Sequence, residues 1–249
     1  MTGFSESAGG SERSAERSAD GGATGITARL AAVRARVARA AVAAGRDPAE
    51  IRIVGVSKRQ PLESVRAAIA AGLGDLGENF LQEALGKMDA LAAGAARWHF
   101  IGALQSNKTA AVAERFDWVH SVDRLKLAER LDRQRPAALP PLNVCVQVRI
   151  GDESSKAGVP AEETEALARA VAALPRLRLR GLMAVPPPET DPARQRAWCR
   201  QLAGLYAELR AGGLDLDTLS MGMSDDLEAA IAEGTTMVRI GTAIFGPRS

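Results

Sequence analysis

IRIVGVSKRQPLESVRAAIAAGLGDLGENF, residues 51–80, decides the fold. IRIVGVS is a short β-branched run and reads as a buried strand. Pro61 suits the start of a helix and Gly72 its end. DLGE (75–78) returns to strand. Two strands joined through a helix need a crossover connection and read as parallel neighbours. The alternation continues downstream. NFLQEALGKMDALAA is helical, with Leu81, Leu85 and Met88 on one stripe. WHFIG (98–102), DWVHSV (117–122), LNVCVQVRI (142–150), LRLRGLMAV (177–185), TLSMG (218–222) and MVRIG (237–241) are further strands, separated by helical segments that include a long one over 191–211. Upstream, Ile26, Leu30, Val33 and Val37 mark one face of a helix that Gly45 and Pro48 end.

Eight strands alternating with helices predict a single (β/α)8 TIM-type barrel with an extra N-terminal helix, over residues 25–249. That helix is placed to fill the eighth position on the outer wall. A doubly wound open sheet is the alternative, and no GxGxxG follows any strand to support it. Residues 1–24 hold only Met1 and Phe4 as large apolar side chains, so they read as a disordered tail. They lack the apolar core of a signal peptide, which makes the cytoplasm the default.

Composition narrows the function. The chain has 249 residues, 46% hydrophobic and 25% charged, enough to bury a sizeable core. Lys plus Arg is 32 against 30 Asp plus Glu, a balance that disfavours a nucleic-acid binder. No apolar run approaches the roughly 18 residues of a membrane helix. Cys145 and Cys199 form no CxxC, so neither a disulfide framework nor a structural metal is expected. Cys145 reads as buried in a strand and Cys199 as partly exposed. Arg29, Arg34, Arg36 and Arg39 on the first helix read as a solvated face.

In such barrels the chemistry sits where the strands end. Lys58 stands at the end of the first strand and shares alternation parity with Val54 and Val56. Desolvation there lowers an amine's pKa and frees it as a nucleophile able to form a Schiff base. Lysine is scarce in this chain, with five against 27 arginines. On its own, Lys58 also fits a solvated lysine after a strand. A second feature shifts that balance. Ser224 precedes DDLEAAIAEG as an N-cap, Gly222 allows close backbone approach, and Gly241-Thr242 adds a small backbone and a hydroxyl after the last strand. Loops after strands seven and eight often hold phosphate in these barrels. Asp225 and Asp226 argue against an anion unless they point away. An aldehyde-binding lysine and a phosphate cradle together describe a pyridoxal phosphate pocket. Arg239 shares parity with Gly241; a guanidinium at the pyridine nitrogen keeps that nitrogen unprotonated and makes the ring a poor electron sink.

VGVSK (54–58), GENFLQE (77–83), WHFIGALQSNK (98–108), GLMAVPP (181–187) and LSMGMSDDLEAAIAEGTTMVRIGTAIFG (219–246) resemble the pyridoxal phosphate homeostasis proteins, stand-alone relatives of the alanine racemase N-terminal barrel. The resemblance covers about residues 26–248. It implies pyridoxal 5'-phosphate bound covalently to Lys58, phosphate contacts from Ser224, Gly241 and Thr242, Arg239 near the pyridine nitrogen, and Asn79 beside the ring. It implies a carrier or regulator acting in vitamin B6 homeostasis, without strong turnover. Partners expected on that basis are pyridoxal phosphate itself and apo-enzymes or enzymes of the B6 pathway, with no nucleic acid, no membrane and a monomeric state. The fifth strand departs from the family pattern at Arg149-Ile150, although Glu153, Lys156 and Gly158 fit. Lys156 reads as a solvated loop lysine before a second acceptor of the aldehyde.

A pyridoxal-dependent amino-acid racemase is the alternative function. Racemisation needs a base on each face of the substrate adduct, and Lys58 supplies one. Tyr206, the only tyrosine, shares a helix with Leu202, Leu205 and Leu209 and reads as packing. His99 reads as a strand histidine satisfied by a neighbour.

Overall fold

Eight parallel strands close on one another in chain order: β1 (Arg52–Val56), β2 (Asp75–Glu78), β3 (Arg97–Phe100), β4 (Trp118–Val122), β5 (Leu142–Gln147), β6 (Leu177–Met183), β7 (Thr218–Ser220) and β8 (Met237–Ile240). The barrel shuts where β8 pairs with β1, from Arg52↔Met237 through Gly55↔Ile240. This computed structural model describes residues 9–151 and 157–247, with side chains from residue 24 onward. The predicted TIM-type barrel is therefore the observed fold. The second strand matches its expected span, and the others are shorter than the runs that announced them, because the last residues of several runs enter the loops at the barrel mouth.

The helices are α1 (Gly9–Ala43), α2 (Leu62–Ala70), α3 (Leu81–Asp89), α4 (Thr109–Arg115), α5 (Leu125–Gln134), α6 (Thr164–Ala172), α7 (Pro192–Ala211), α8 (Leu227–Ala232) and α9 (Thr242–Phe245). Their apolar stripes meet the outer faces of the strands in one large core that includes Leu30, Val65, Leu127, Val171, Leu202 and Ile244. A second, smaller cluster of Val54, Trp118, Cys145, Met183 and Met237 fills the lumen. Burial on both faces explains why the strands read as continuous apolar runs and not as clean alternation. At Gly181 a Cβ would lie 1.7 Å from Thr218 O, so only glycine lets β6 follow β7 there.

Helix α9 is a single turn, too short to cover the gap between β8 and β1. Helix α1 covers it instead, packed against α2 on one side and α8 and α9 on the other. Of the face expected to be solvated, Arg39 is exposed, while Arg29, Arg34 and Arg36 make specific contacts, which corrects the expectation for those three. Arg29 Nε donates to Ile244 O at 2.8 Å, and Arg34 donates to Ala71 O and Gly72 O at 3.1 and 2.7 Å. Arg36 pairs with Glu228 and donates to Ser224 O at 2.7 Å. The last carbonyls of a helix lack intrahelical partners, and a guanidinium has donors to reach them.

Residues 1–8 of the expected tail, and the side chains through residue 23, lie outside the described residues. Cys199 is fully buried and not partly exposed, and burial pushes its thiol up to about 12. No helix among the described residues is long and apolar enough to cross a membrane.

Candidate functional site

Strand β1 ends at Val56 and the chain enters a turn through Ser57, Lys58 and Arg59. Lys58 is half-buried there, at the mouth. Ser57 N still reaches Gly77 O at 3.0 Å, extending the ladder to β2. Arg59 has φ +58°, the left-handed region that costs a side-chain-bearing residue about 1–2 kcal/mol. A polar cluster behind the turn holds it in place. Lys87 Nζ, from α3, donates to Ser57 O at 2.6 Å and to the carboxylates of Glu78 and Glu83, each at 2.7 Å. Ser57 Oγ donates to Glu78 Oε1 at 2.6 Å, and Arg59 N donates to Glu83 Oε1 at 2.5 Å. The residues on both sides of Lys58 are thus anchored from below. Glu78 is wholly buried; burial pushes its carboxyl up, against the opposing pull of Lys87 and Ser57. Sequence reasoning missed Lys87. Its spacing to Glu83 was visible on one helix, but its contact with Glu78 depends on α3 folding back over β2.

Asn79 follows β2 directly. A Cβ at Gly102 would come within 2.4 Å of Asn79 O and 2.7 Å of its Cα, so the glycine lets the end of β3 lie against Asn79. The Oδ1 of Asn79 is buried and lacks a partner among the described residues. A buried amide oxygen without a partner is costly, and a bound ligand or water relieves that cost.

Arg239, on β8, is 4% exposed, and burial lowers its pKa to about 10, which leaves it protonated at neutral pH. Its Nη1 donates to Ser220 O and Ser220 Oγ at 2.8 and 2.7 Å, and its Nη2 to Ala184 O at 2.8 Å. Beyond it, the Cβ position of Gly241 is 3.6 Å from both Val56 Cβ and Val56 O, so the last loop lies against the end of β1 that carries Lys58. Thr242 is exposed beside it. Gly222, at φ +92°, accepts from Arg239 N at 2.9 Å and ties the loop after β7 to β8; a Cβ there would approach Ala230 Cβ to 2.6 Å.

Ser224 does not cap α8. The helix begins at Leu227, Asp226 holds the N-cap place, and Ser224 sits half-buried in the preceding turn. Asp226 Oδ1 accepts from Met223 N at 2.5 Å, which closes that turn and moves the helix start on. This carboxylate is engaged by its own loop, and Asp225 is exposed. Strand order β7-β8-β1-β2 therefore brings Ser224, Arg239, Gly241, Thr242, Lys58 and Asn79 onto one continuous arc of the mouth. A cavity of about 660 Å³ beside this arc is lined by Val185, Pro187, Trp198 and Met223 among others.

Other candidates fall away. Tyr206 is on the outer wall and donates to Leu216 O at 3.0 Å, with burial raising its pKa. His99 is fully buried and hydrogen-bonded through both ring nitrogens. In the loop after β5, Arg149 N donates to Val159 O at 2.9 Å and Ile150 is buried, while Glu153 and Lys156 lie outside the described residues. Among the described residues no group of His, Cys, Asp or Glu is placed to hold a metal.

Residues 28–249 match the family model for the alanine racemase N-terminal domain. The chain is 60% identical over 223 residues to the pyridoxal phosphate homeostasis protein of Pseudomonas aeruginosa, covering 90% of this chain and 96% of that one. The chain belongs to the pyridoxal phosphate homeostasis proteins. It is also 54% identical over 226 residues to the Escherichia coli K12 protein of the same name, covering 90% of this chain and 97% of that one. Among solved structures, PipY of Synechococcus elongatus with pyridoxal phosphate bound aligns with a TM-score of 0.79 at 37% identity, over 89% of this chain and 100% of that one. An alanine racemase from Corynebacterium glutamicum shares the fold alone, at 18% identity and a TM-score of 0.64, and this chain spans 60% of it.

Proposed function

We propose that this protein binds pyridoxal 5'-phosphate and acts in its homeostasis, holding the cofactor covalently through Lys58. The observation that carries the reading is the arc at the mouth, which sets a clamped lysine beside the Gly241 loop and a buried guanidinium. The solved PipY structure with pyridoxal phosphate bound supports it, as do the names of the two bacterial relatives. The residues fit the group: Asn79 Oδ1 is a buried acceptor without a partner, and Gly241 keeps side-chain atoms out of the cradle.

When bound, pyridoxal phosphate supplies an aldehyde that condenses with an amine and a phosphate that anchors the other end. Lys58 offers the amine, and the cluster of Glu78, Lys87 and Glu83 holds the backbone that carries it. Ser224, Gly241 and Thr242 hold the phosphate end. Asn79 borders the ring. Arg239 presents a permanent positive charge toward the ring nitrogen, which disfavours a proton there and limits the ring as an electron sink. In this proposal the barrel is the single domain behind residues 1–24, works in the cytoplasm as a monomer, and passes cofactor to apo-enzymes.

Racemase activity is disfavoured because neither residue considered as a second base is available opposite Lys58. Tyr206 is on the outer wall and His99 is engaged at both nitrogens. The test is equilibrium dialysis of the full chain and of Lys58→Ala against pyridoxal phosphate. One equivalent retained by the former and a loss of at least tenfold in affinity by the latter are expected. Equal retention by both refutes Lys58 as the anchor.

A further inference from the structure

A line of buried polar side chains runs through the barrel lumen and plays no part in holding the cofactor directly. At its lower end Asp75 is gripped by Arg97, whose Nε and Nη2 each donate to the carboxylate at 2.8 Å. Asp75 Oδ1 also lies 2.9 Å from His99 Nε2. His99 Nδ1 is 2.9 Å from His120 Nε2, and His120 Nδ1 is 2.9 Å from Ser220 Oγ. Ser220 Oγ accepts from Arg239 Nη1 at 2.7 Å. His99, His120 and Ser220 are all at 0% exposure, so no solvent interrupts the line. Trp118 stacks on His99 at 5.4 Å between ring centroids and seals one side.

With both rings neutral, the carboxylate end fixes the direction of every bond along the line, and the guanidinium at the other end is compatible with it. A guanidinium only donates and an ionised carboxylate only accepts. Burial pushes the Asp75 carboxyl up, but the hydrogen bonds from His99 and Arg97 together outweigh it and hold it at about 2. Asp75 therefore accepts from His99 Nε2–H, which leaves His99 Nδ1 as an acceptor. His120 Nε2–H donates to it, which leaves His120 Nδ1 as an acceptor for the Ser220 hydroxyl. That hydroxyl, its proton directed to His120, offers a lone pair to Arg239. Each of the three middle groups is neutral, donates once and accepts once. The groups facing His99 are Asp75, Arg52 and Asp117, and those facing His120 are His99, Arg239 and Arg52. Burial first, and the cations next to it, keep His120 well below the ordinary histidine range; burial lowers His99 as well, against Asp75.

We propose that Asp75, His99, His120 and Ser220 form a one-way hydrogen-bond relay that positions Arg239 toward the cofactor's ring nitrogen, with its direction set by the carboxylate at the opposite end of the barrel. The role toward a cofactor rests on the reading given above; the direction of the relay does not. An unpolarised Ser220 would be free to turn its hydroxyl hydrogen toward the guanidinium. The relay forbids that orientation and keeps Arg239 in one pose. These are positioning residues.

The chain has only two histidines, so labelling with 15N-histidine gives four ring-nitrogen signals. Long-range proton–nitrogen correlation spectra of the full-length, cofactor-free chain are expected to show both rings neutral with the proton on Nε2 from pH 5 to 8. An imidazolium or an Nδ1–H ring at either position in that range overturns the relay. For the positioning role, Ser220→Ala and Asp75→Asn are loaded with pyridoxal phosphate and their absorbance is titrated with pH. Losing one bond to a charged group is expected to move the titration midpoint by on the order of half a unit to one unit in Ser220→Ala, and by less in Asp75→Asn. Borohydride still fixes the cofactor on Lys58 in both. Midpoints matching the parent chain refute the positioning role, and a shift in Ser220→Ala alone refutes control from the far end. Failure of the parent chain to take up pyridoxal phosphate refutes the proposed function and the relay's role toward a cofactor, while the nitrogen spectra still decide the relay's direction.

Discussion

Replacing Lys87 by Met removes the charge that holds the Lys58 turn while keeping most of the unbranched apolar stem. The cost follows from what is left behind. Lys87 and Glu78 side chains are 7% and 0% exposed, with Nζ 2.7 Å from Oε1. Breaking such a buried pair by removing one partner costs about 3–5 kcal/mol, because the remaining charge has neither water nor counter-ion. For a chain of this size that is a drop of roughly 6–20 °C in Tm. The sign with pH is also fixed. Burial raises the Glu78 carboxyl, and Lys87 is among the groups pulling it back down. Without Lys87 it rises further, and a carboxyl raised in the folded chain stabilises below its unfolded pKa and loses that contribution as pH climbs. The deficit of Lys87→Met therefore shrinks from pH 8 toward pH 5. Glu78→Gln combined with Lys87→Met removes both charges and is expected to recover at least half of the loss. Thermal unfolding of the parent, both single variants and the double variant measures all of this. A deficit under about 1 kcal/mol, or a double variant no better than Lys87→Met, refutes the clamp.

Arg36→Ala removes the contacts of α1 to Ser224 O and Glu228 and is expected to weaken pyridoxal phosphate retention about fivefold, read by dialysis, with a small change in Tm. Ser224→Ala is expected to weaken retention while borohydride still labels Lys58; unchanged affinity in titration would leave Ser224 without a role at the phosphate. Asp75, whose carboxyl is held at about 2 by His99 and Arg97 and so below the ordinary aspartate range, contributes about 2 kcal/mol. A depressed carboxylate contributes fully above its unfolded pKa and loses the contribution as pH falls through the folded one. The deficit of Asp75→Asn in thermal unfolding is therefore expected to stay constant from pH 5 to 8 and to shrink below pH 4.

The barrel was legible because its signal is local. IRIVGVS and MVRIG are each largely apolar runs bounded by turn residues, DLGE is a short strand between two helical segments, and the parallel order follows from the helices between them. The arc of the mouth was legible for a related reason: a residue's place at a strand end is a local property, and closure of the barrel then gathers those ends. What depended on closure itself was not legible. The line from Asp75 through His99 and His120 to Arg239 joins five strands, and no spacing in the chain encodes it. His99 was recognised as satisfied, but its neighbour could not be named. Lys87 was invisible for the same reason, since Glu78 and Ser57 reach it from two different strand ends. Arg29, Arg34 and Arg36 of α1 were misread because a helical pattern shows which side chains share a face and not which carbonyls of α2, α9 and the Ser224 turn that face meets. The start of α8 was misplaced because Asp226 turns back to Met223 N, a choice that Ser224 competes for equally in sequence.

Incubating the purified full-length chain with pyridoxal phosphate, reducing with borohydride and mapping the pyridoxyl peptide tests the central claim most directly. The account predicts a visible absorption band that reduction removes and a single stoichiometric adduct on Lys58. An adduct spread over several lysines, or a stoichiometric one on a lysine other than Lys58, would contradict it.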